Sequence, residues 1–360
     1  MQKHTNNFLI INPFGIGDVL FTTPIISALK EKYPDAKIGF WCNERVKDLL
    51  KNNPNIDKVF AMSRGDIKRI YKRNPVKAFF ALSGLLEEIR KEKFGMSFDL
   101  SLDSRYGLWS QFAGVKKRVG FDYKKRGRFL TDKVQLEGYS SAHMVDYYTS
   151  LLKFIGIEPK DKALNLTVTE ENKAKAQKLL AEFGVEPGDL VVGIAMGGGA
   201  SWGHNAVYKQ WPIKSFSKLT DQLIRKENAY VALIGNADEE WLADVIVSEI
   251  KSPNVIDLTG KVSLEILAAI IKELKFLVSN DGGPLHMAVA LGVRTVSIFG
   301  PVDDKVYGPY PQNGNHIVVK TETPCRPCYE NFRFPGCLND KRCLEEVTVD
   351  EVYEKVKAFL

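Results

Sequence analysis

The sequence predicts an α/β protein with two similar halves, each built on a parallel sheet covered by helices. Short apolar runs alternate with amphipathic segments along nearly the whole chain, and the alternation starts afresh near residue 190. Because a crossover helix joins successive parallel strands, this order favours a doubly wound sheet in each half. The 360 residues also favour two domains over one.

In the first half, the apolar run "NFLIIN" leads into a helical pattern in which Pro24 predicts a kink or the end of a first turn. The following segments continue a β-α-β order. Their predicted strands are residues 36–42, 56–62 and 98–104, with a helix at 44–53.

In the second half, five apolar runs are separated by four helical patterns. The predicted strands are 190–198, 229–236, 254–260, 275–281 and 294–300. A polar helix ending in Gly and Pro-Gly turn signals precedes them, and we place the domain boundary there, between residues 1–170 and 171–346. We therefore expect two Rossmann-like domains facing each other across a cleft, with the C-terminal helix, 347–360, packing back on the first.

Composition narrows the function classes. The net charge of +6 and the pI near 8.8 fit an anionic ligand or an anionic membrane surface. The basic residues form no long stripe interleaved with aromatics, so nucleic acid is not an expected partner. No run reaches the ~20 apolar residues of a membrane span. We expect a cytoplasmic protein, and peripheral contact with the inner membrane stays open.

The loop after the first strand, "NPFGIGDVL", contains Gly15, Gly17 and Asp18. A dinucleotide fingerprint needs a small third residue, but Leu20 stands there, and the Asp18 charge would oppose a pyrophosphate. The residues alone leave Asp18 as a helix-capping carboxylate or a catalytic one.

The stretch "GIGDVLFTTPIISALKEKYPDAKIGF" resembles the amino-terminal motif of glycosyltransferase family 9, the bacterial heptosyltransferases. The resemblance implies a GT-B fold and inverting sugar transfer from a nucleotide-diphosphate donor. ADP-heptose is the expected donor, and the inner core of lipopolysaccharide is the expected acceptor. It also implies that Asp18 is the general base, that Gly17 lies at the donor, and that catalysis requires no cofactor.

The stretch "FLVSNDGGPLHMAVALGVRTVSIFGP" is similar to the family's nucleotide-diphosphate motif. It implies that Gly282, Gly283 and His286 bind the diphosphate, with Asp281 in support. Gly282 stands where the family usually has a hydroxyl residue, which removes one side-chain phosphate contact. The alternative is an ordinary turn with a surface histidine.

Two further donor contacts follow from the same resemblance. Lys209, in "KQWP", corresponds to a lysine that neutralises the leaving diphosphate, and the alternative is a solvated lysine. Glu239, in "LIGNADEE", corresponds to an acidic residue near the ribose, and the alternative is helix N-terminal charge.

Basic clusters in the first half suggest the acceptor site, because lipopolysaccharide core carries acidic sugars. The candidates are Arg64, Lys68, Arg69 and Arg118. The same clusters could contact anionic lipid, and a solvated face is the plain alternative.

Four cysteines near the C-terminus have the spacing C-x₂-C-x₈-C-x₅-C. This favours a structural metal site, zinc first and iron second, over two disulfides or free thiols. The residues are Cys325, Cys328, Cys337 and Cys343.

Other functions stay open on the sequence alone. They are a family 9 enzyme with another nucleotide sugar or acceptor, a sugar-nucleotide epimerase on the same fold, and a non-catalytic sugar-binding module. The oligomeric state is not indicated.

Overall fold

The computed structural model describes residues 7–360 and divides the chain into two compact units, Met1–Thr167 and Val168–Leu360. The boundary expected from the sequence followed residue 170. Residues 1–6 of the expected first domain lie outside the described residues.

The first unit alternates strands and helices from its start. Its strands are β1 Phe8–Ile11, β2 Ile38–Cys42, β3 Lys58–Ala61, β4 Met96–Asp99, β5 Lys117–Tyr123 and β6 Asp132–Leu136. Its α-helices are α1 Ile16–Phe21, α2 Thr23–Lys32, α3 Lys47–Leu50, α4 Arg64–Arg73, α5 Pro75–Lys91, α6 Ser104–Phe112 and α7 Met144–Ser150. Short 3₁₀ helices span Glu44–Val46 and Leu151–Ile155.

The second unit has the same alternation. Its strands are β7 Val191–Ala195, β8 Tyr230–Ile234, β9 Val255–Asp257, β10 Phe276–Asn280, β11 Arg294–Ile298 and β12 His316–Val319. Its α-helices are α8 Glu170–Glu182, α9 Ile213–Glu227, α10 Glu240–Ile250, α11 Leu264–Glu273, α12 Gly283–Ala290, α13 Asp304–Tyr307, α14 Arg342–Glu345 and α15 Val349–Lys357. Its 3₁₀ segments are Ala200–Lys209 and Ala237–Glu239.

Both sheets are six-stranded and parallel, in the orders β3-β2-β1-β4-β5-β6 and β12-β11-β10-β7-β8-β9. Numbered within its own unit, each sheet has the Rossmann order 3-2-1-4-5-6. The predicted α/β class is confirmed. In this order the chain extends the sheet to one side from the first strand and to the other side from the fourth. Ligands bind beyond the carboxyl ends of these two adjacent strands, at the topological switch point. Those strands are β1 and β4 in one unit, and β7 and β10 in the other.

Burial explains the strands, because a parallel sheet covered on both faces needs continuous apolar runs. Every residue of β1, β7 and β10 is buried. The segment predicted as one helix around Pro24 is two helices: α1 ends at Phe21, and Pro24 lies in the first turn of α2. That position suits proline because a first-turn N–H has no partner within the helix.

The C-terminal helix corrects one expectation. Helix α15 packs against α9 and β11 of the second unit, and Val352, Val356 and Phe359 join that unit's core. Its amphipathic pattern needs an apolar partner, and the uncovered face beside β11 supplies one within the same unit. None of the described helices is long and apolar enough to cross a membrane.

Candidate functional site

The turn between β1 and α1 is held by Asn12, which is fully buried. Its Nδ2 donates to the Asp18 carbonyl oxygen at 3.0 Å and to Thr22 Oγ1 at 2.8 Å, and its Oδ1 accepts from the Phe14 N–H at 3.2 Å. These bonds tie the loop to the first turn of α1. The turn therefore presents Asp18 from a rigid support.

Asp18 lies in the first turn of α1, half-buried, after Gly15 at the N-cap. The Tyr148 hydroxyl donates to Asp18 Oδ1 at 3.5 Å, and Tyr148 is fully buried on α7. Burial, with the negative charge of Asp18 nearby, raises the pKa of Tyr139. The Asp18 carboxylate thus lies near the buried phenols of Tyr148 and Tyr139.

Sequence reasoning missed Tyr148, which lies shortly after His143 in the same segment. His143 itself caps α7, where its Nδ1 accepts from the Val145 N–H at 3.1 Å and its ring packs edge-on against Phe21. This contact explains its presence without chemistry at the site.

The predicted acceptor residues fall into two places. Arg64, Lys68 and Arg69 lie on α4, where Arg64 pairs with Asp103 at 2.8 Å and Arg69 pairs with Asp66. Lys68 is exposed. Arg118 lies on β5, and its guanidinium donates to the carbonyl oxygens of Val115, Lys116 and Phe129 at 2.7–3.1 Å. Most of its donors are thus engaged by the protein's own backbone.

The loop after β7 packs tightly against the segments that contain Ala206 and Glu239. An added Cβ at Gly197 would collide with the Glu239 carboxylate, and one at Gly198 would collide with the Ala206 carbonyl oxygen. Asn280, at the end of β10, donates to the Met196 carbonyl oxygen at 2.6 Å and accepts from the Trp211 N–H at 3.0 Å. Sequence reasoning passed over Asn280, although it directly precedes the flagged Asp281.

Lys209 and Asp281 form a buried ion pair, with Lys209 Nζ 2.7 Å from Asp281 Oδ2 and both side chains less than a tenth exposed. His286 Nε2 lies 3.8 Å from Asp281 Oδ1. Burial by itself raises the pKa of Asp281, but the Lys209 ammonium and the His286 ring outweigh burial, so this pKa is lowered. Because Lys209 and His286 are both buried, the alternatives of a solvated lysine and a surface histidine are excluded.

Lys209 also lies 4.9 Å above the Trp202 ring, within reach of a cation–π contact. The ammonium is therefore held between a carboxylate and an indole face. Asp281 thus contacts both the Lys209 ammonium and the His286 ring at the end of β10.

Helix α12 begins directly after this pair, with Gly282 at its N-cap and Pro284 in its first turn. The backbone at Gly282 is extended, and an added Cβ would meet nothing nearer than Pro284 Cδ at 3.9 Å. Position 282 therefore has room for the hydroxyl-bearing side chain that the family usually has there. The first-turn N–H groups and the positive dipole end are suited to an anion.

Glu239 belongs to the 3₁₀ segment after β8, where its Oε2 accepts from the Asn236 N–H at 3.0 Å in a capping box. Burial, with Asp238 nearby, raises the pKa of Glu239. The capping alternative is therefore present in the structure. A ribose contact stays a prediction.

The four C-terminal cysteines line one small cavity of about 10 Å³, and all five cysteines are free. Within residues 7–360, no group of three or more His, Cys, Asp or Glu side chains is arranged to hold a metal ion. The thiols converge without forming a ligand shell in this conformation, so the metal stays a prediction.

Comparison with known proteins defines the class. A profile described as glycosyltransferase family 9 (heptosyltransferase) matches residues 84–334, well over half of the chain. The chain belongs to glycosyltransferase family 9, the heptosyltransferase family.

Individual relatives agree with this assignment. Lipopolysaccharide heptosyltransferase 3 from Escherichia coli is 25% identical over 304 residues, covering 82% of this chain and 84% of the relative. The family 9 glycosyltransferase structure from Veillonella parvula has a TM-score of 0.81 at 21% identity, with 98% and 96% coverage. The structure of E. coli ADP-heptose lps heptosyltransferase II has a TM-score of 0.77 at 22% identity, covering 98% of both chains. These neighbours have the predicted GT-B-like fold.

Proposed function

We propose that this glycosyltransferase moves a heptose from ADP-heptose to the inner core of lipopolysaccharide, with inversion at the anomeric carbon, at the cytoplasmic face of the inner membrane. Family membership supports heptosyl transfer. The names of the E. coli relative and structural neighbour support the lipopolysaccharide acceptor and the ADP-heptose donor.

The buried Lys209–Asp281–His286 cluster carries this proposal. It lies at the end of β10, next to the N-terminus of α12 and at the topological switch point of its sheet. There the donor diphosphate accepts hydrogen bonds from first-turn N–H groups, while Lys209 and His286 face its oxygens. The fixed Lys209 ammonium and the N–H donors stabilise the negative charge that grows on ADP as the glycosidic bond breaks. Catalysis then needs no divalent cation.

Asp18 acts as the general base in this proposal. The acceptor hydroxyl oxygen forms a bond to the anomeric carbon while the bond from that carbon to the diphosphate oxygen breaks. The hydroxyl proton passes to the Asp18 carboxylate, and ADP leaves with the bonding electron pair. A single in-line displacement inverts the anomeric centre. The rigid β1–α1 turn and the Tyr148 hydroxyl hold the base ready.

Donor identity is tested first by binding. ADP and ADP-heptose should raise the melting temperature of the purified protein, whereas UDP- and GDP-sugars should not, because a ligand that binds only the folded state stabilises it. Lys209→Met should lose the ADP effect, and the exposed control Lys218→Met should keep it. Stabilisation by UDP-sugars alone would replace the proposed donor.

Transfer itself is tested with ADP-heptose and a lipopolysaccharide acceptor truncated before its first heptose. Mass spectrometry should detect one added heptose, and NMR of the product should give the anomeric configuration opposite to that of the donor. Retained configuration would contradict the displacement mechanism. Transfer of another sugar at a higher rate would reassign the donor within the family.

We propose separately that Cys325, Cys328, Cys337 and Cys343 hold a structural metal ion after a local rearrangement of the thiols. The shared cavity and the absence of disulfides among the described cysteines support this. Elemental analysis should find about one zinc or iron per chain, because four thiolates complete a tetrahedral site. Cys325→Ser with Cys328→Ser should abolish it. Metal-free protein with four titratable thiols in this segment would contradict the site.

A further inference from the structure

An exposed apolar corner joins helices α4 and α5, and we call residues 68–80 the α4–α5 tip. The exposed fractions of its large apolar side chains are 60% for Tyr71, 63% for Val76 and 67% for both Phe79 and Phe80. The Phe79 and Phe80 rings lie 5.8 Å apart, edge to face. Soluble proteins rarely leave several large apolar side chains of one short segment in water unless the segment binds something.

The tip is a well-formed structure and presents a fixed surface. Ser63 begins α4 with a capping box that includes Asp66. Asn74 ends α4 and also begins α5, where its Oδ1 accepts from the Lys77 N–H at 2.9 Å and Pro75 occupies the first turn. Both helix starts are thus satisfied locally. The exposed aromatic side chains therefore do not arise from fraying.

Basic residues alternate with the apolar residues along the sequence of the tip. Over residues 64–80 the only acidic side chain is Asp66, which already pairs with Arg69. Four basic side chains of the tip make no ion pair within residues 7–360: Lys68, Lys72, Arg73 and Lys77. Their ammonium and guanidinium groups are exposed. The tip therefore combines unbalanced positive charge with unburied aromatic surface.

We propose that the α4–α5 tip docks the protein on an anionic lipid bilayer. Phe79, Phe80 and Val76 enter the boundary between headgroups and acyl chains, and the four cations contact lipid phosphates. An apolar face bordered by Lys and Arg is what an interfacial helix needs, since burial and electrostatic attraction then act together. A second copy of the chain fits less well, because a two-fold contact would bring identical positive charges together.

Vesicle flotation with the purified full chain tests the proposal, and no nucleotide sugar is added. The protein should float with vesicles of phosphatidylethanolamine and phosphatidylglycerol, and much less with phosphatidylcholine vesicles. Lys72→Gln with Arg73→Gln should lower the partition to anionic vesicles by about thirtyfold, since each basic residue near the surface contributes about fivefold. Phe79→Ser with Phe80→Ser should lower it by at least about tenfold.

Matched controls lie in the second unit. Lys178→Gln with Lys218→Gln removes the same charge from exposed positions, and Trp241→Ser removes an exposed aromatic side chain. These variants should float like the wild type. All tip variants should keep the wild-type melting temperature and its ADP-induced rise, so that loss of flotation is separated from misfolding and from failure of the donor site.

Three flotation results would overturn the proposal. They are wild-type protein that floats with none of these vesicles, tip variants that float as well as wild type, and flotation that occurs only when the vesicles contain lipopolysaccharide. The last would assign the tip to acceptor recognition. A fall in mass by light scattering on Phe79→Ser with Phe80→Ser would assign it to self-association instead.

Discussion

The two units have the same strand order, yet the carboxyl groups at the ends of their equivalent strands have pKa values shifted in opposite directions. In the first unit, Asp99 ends β4 and is buried, and its Oδ1 accepts from the Ser101 N–H at 2.9 Å. In the second unit, Asp281 follows the equivalent strand, β10, and pairs with Lys209. Burial raises the pKa of Asp99 to about 6, whereas the pKa of Asp281 is lowered.

The difference shows that a fold supplies positions and that neighbouring side chains decide their chemistry. In the first unit, two carboxylates lie near the topological switch point. Asp18 faces a phenol, and Asp99 accepts from a backbone N–H. The second compensates its carboxylate with an ammonium and an imidazole. A proton acceptor is thus expected from the first unit, and an anion cradle from the second.

Asp18→Asn is the strongest test of the proton acceptor expected from the first unit. Removing the proposed general base should lower kcat by about 10²–10⁴-fold, because the amide cannot take the acceptor proton. Steady-state kinetics with ADP-heptose measures it, and the melting temperature should stay near wild type. The exposed Asp35→Asn is the control and should retain full activity. Equal activity in both variants would move the base elsewhere.

Lys209→Met tests the second unit. It leaves Asp281 charged and buried without its ammonium partner, with only the His286 ring still facing it, so the free energy of unfolding should fall by about 3–5 kcal/mol. Urea denaturation measures the loss, and Lys218→Met should show almost none. Adding Asp281→Asn to Lys209→Met should restore much of the stability, because the unpaired charge is then gone. A double variant as unstable as the single one would show that packing, rather than charge, dominates.

Asp99→Asn tests the comparison through the pH dependence of the free energy of unfolding. Because the folded pKa of Asp99 is raised to about 6, the folded state keeps a proton that the unfolded state releases near pH 4, so wild-type stability falls as pH rises through this window. The asparagine variant lacks this fall. Relative to wild type, it should gain up to about 3 kcal/mol between pH 4 and pH 7. A constant difference across this range would contradict the raised pKa.

Asp281 should behave with the opposite sign. Its pKa is lowered in the folded state, so its pair with Lys209 contributes stability above about pH 4 that is lost as pH falls further. The stability gap between wild type and Lys209→Met should therefore narrow in acid. The same denaturation series measures both carboxylates.

The smallest effect is expected for Tyr148→Phe, which removes the hydroxyl facing Asp18 and keeps the ring. Loss of one long hydrogen bond should cost about 1 kcal/mol, seen as a modest fall in kcat with little change in the donor's KM. Tyr147→Phe is the control, since its hydroxyl lies against Ser141. Equal effects in the two variants would remove Tyr148 from the support of Asp18.

Much of the fold was predictable because local patterns encode it. Continuous apolar runs such as that of β10 predicted buried parallel strands, and the glycines after it predicted the turn into α12. Asp281, Gly282, Gly283 and His286 at that turn were also found, since the motif is local, whereas Asn280 beside them was not. Tyr148 and Asn12 were not, because their importance depends on contacts with Asp18 and its helix that composition does not reveal.

By itself the sequence determined the alternation of strands and helices, the family motifs and the positions of the candidate residues, because each rests on spacing between near neighbours in the chain. Only the tertiary structure decided which charges are compensated. Lys209 is paired and buried, Tyr148 reaches Asp18 across 130 residues, and α15 covers the second sheet. Such contacts form when distant elements pack, and burial then sets the energy of each charge.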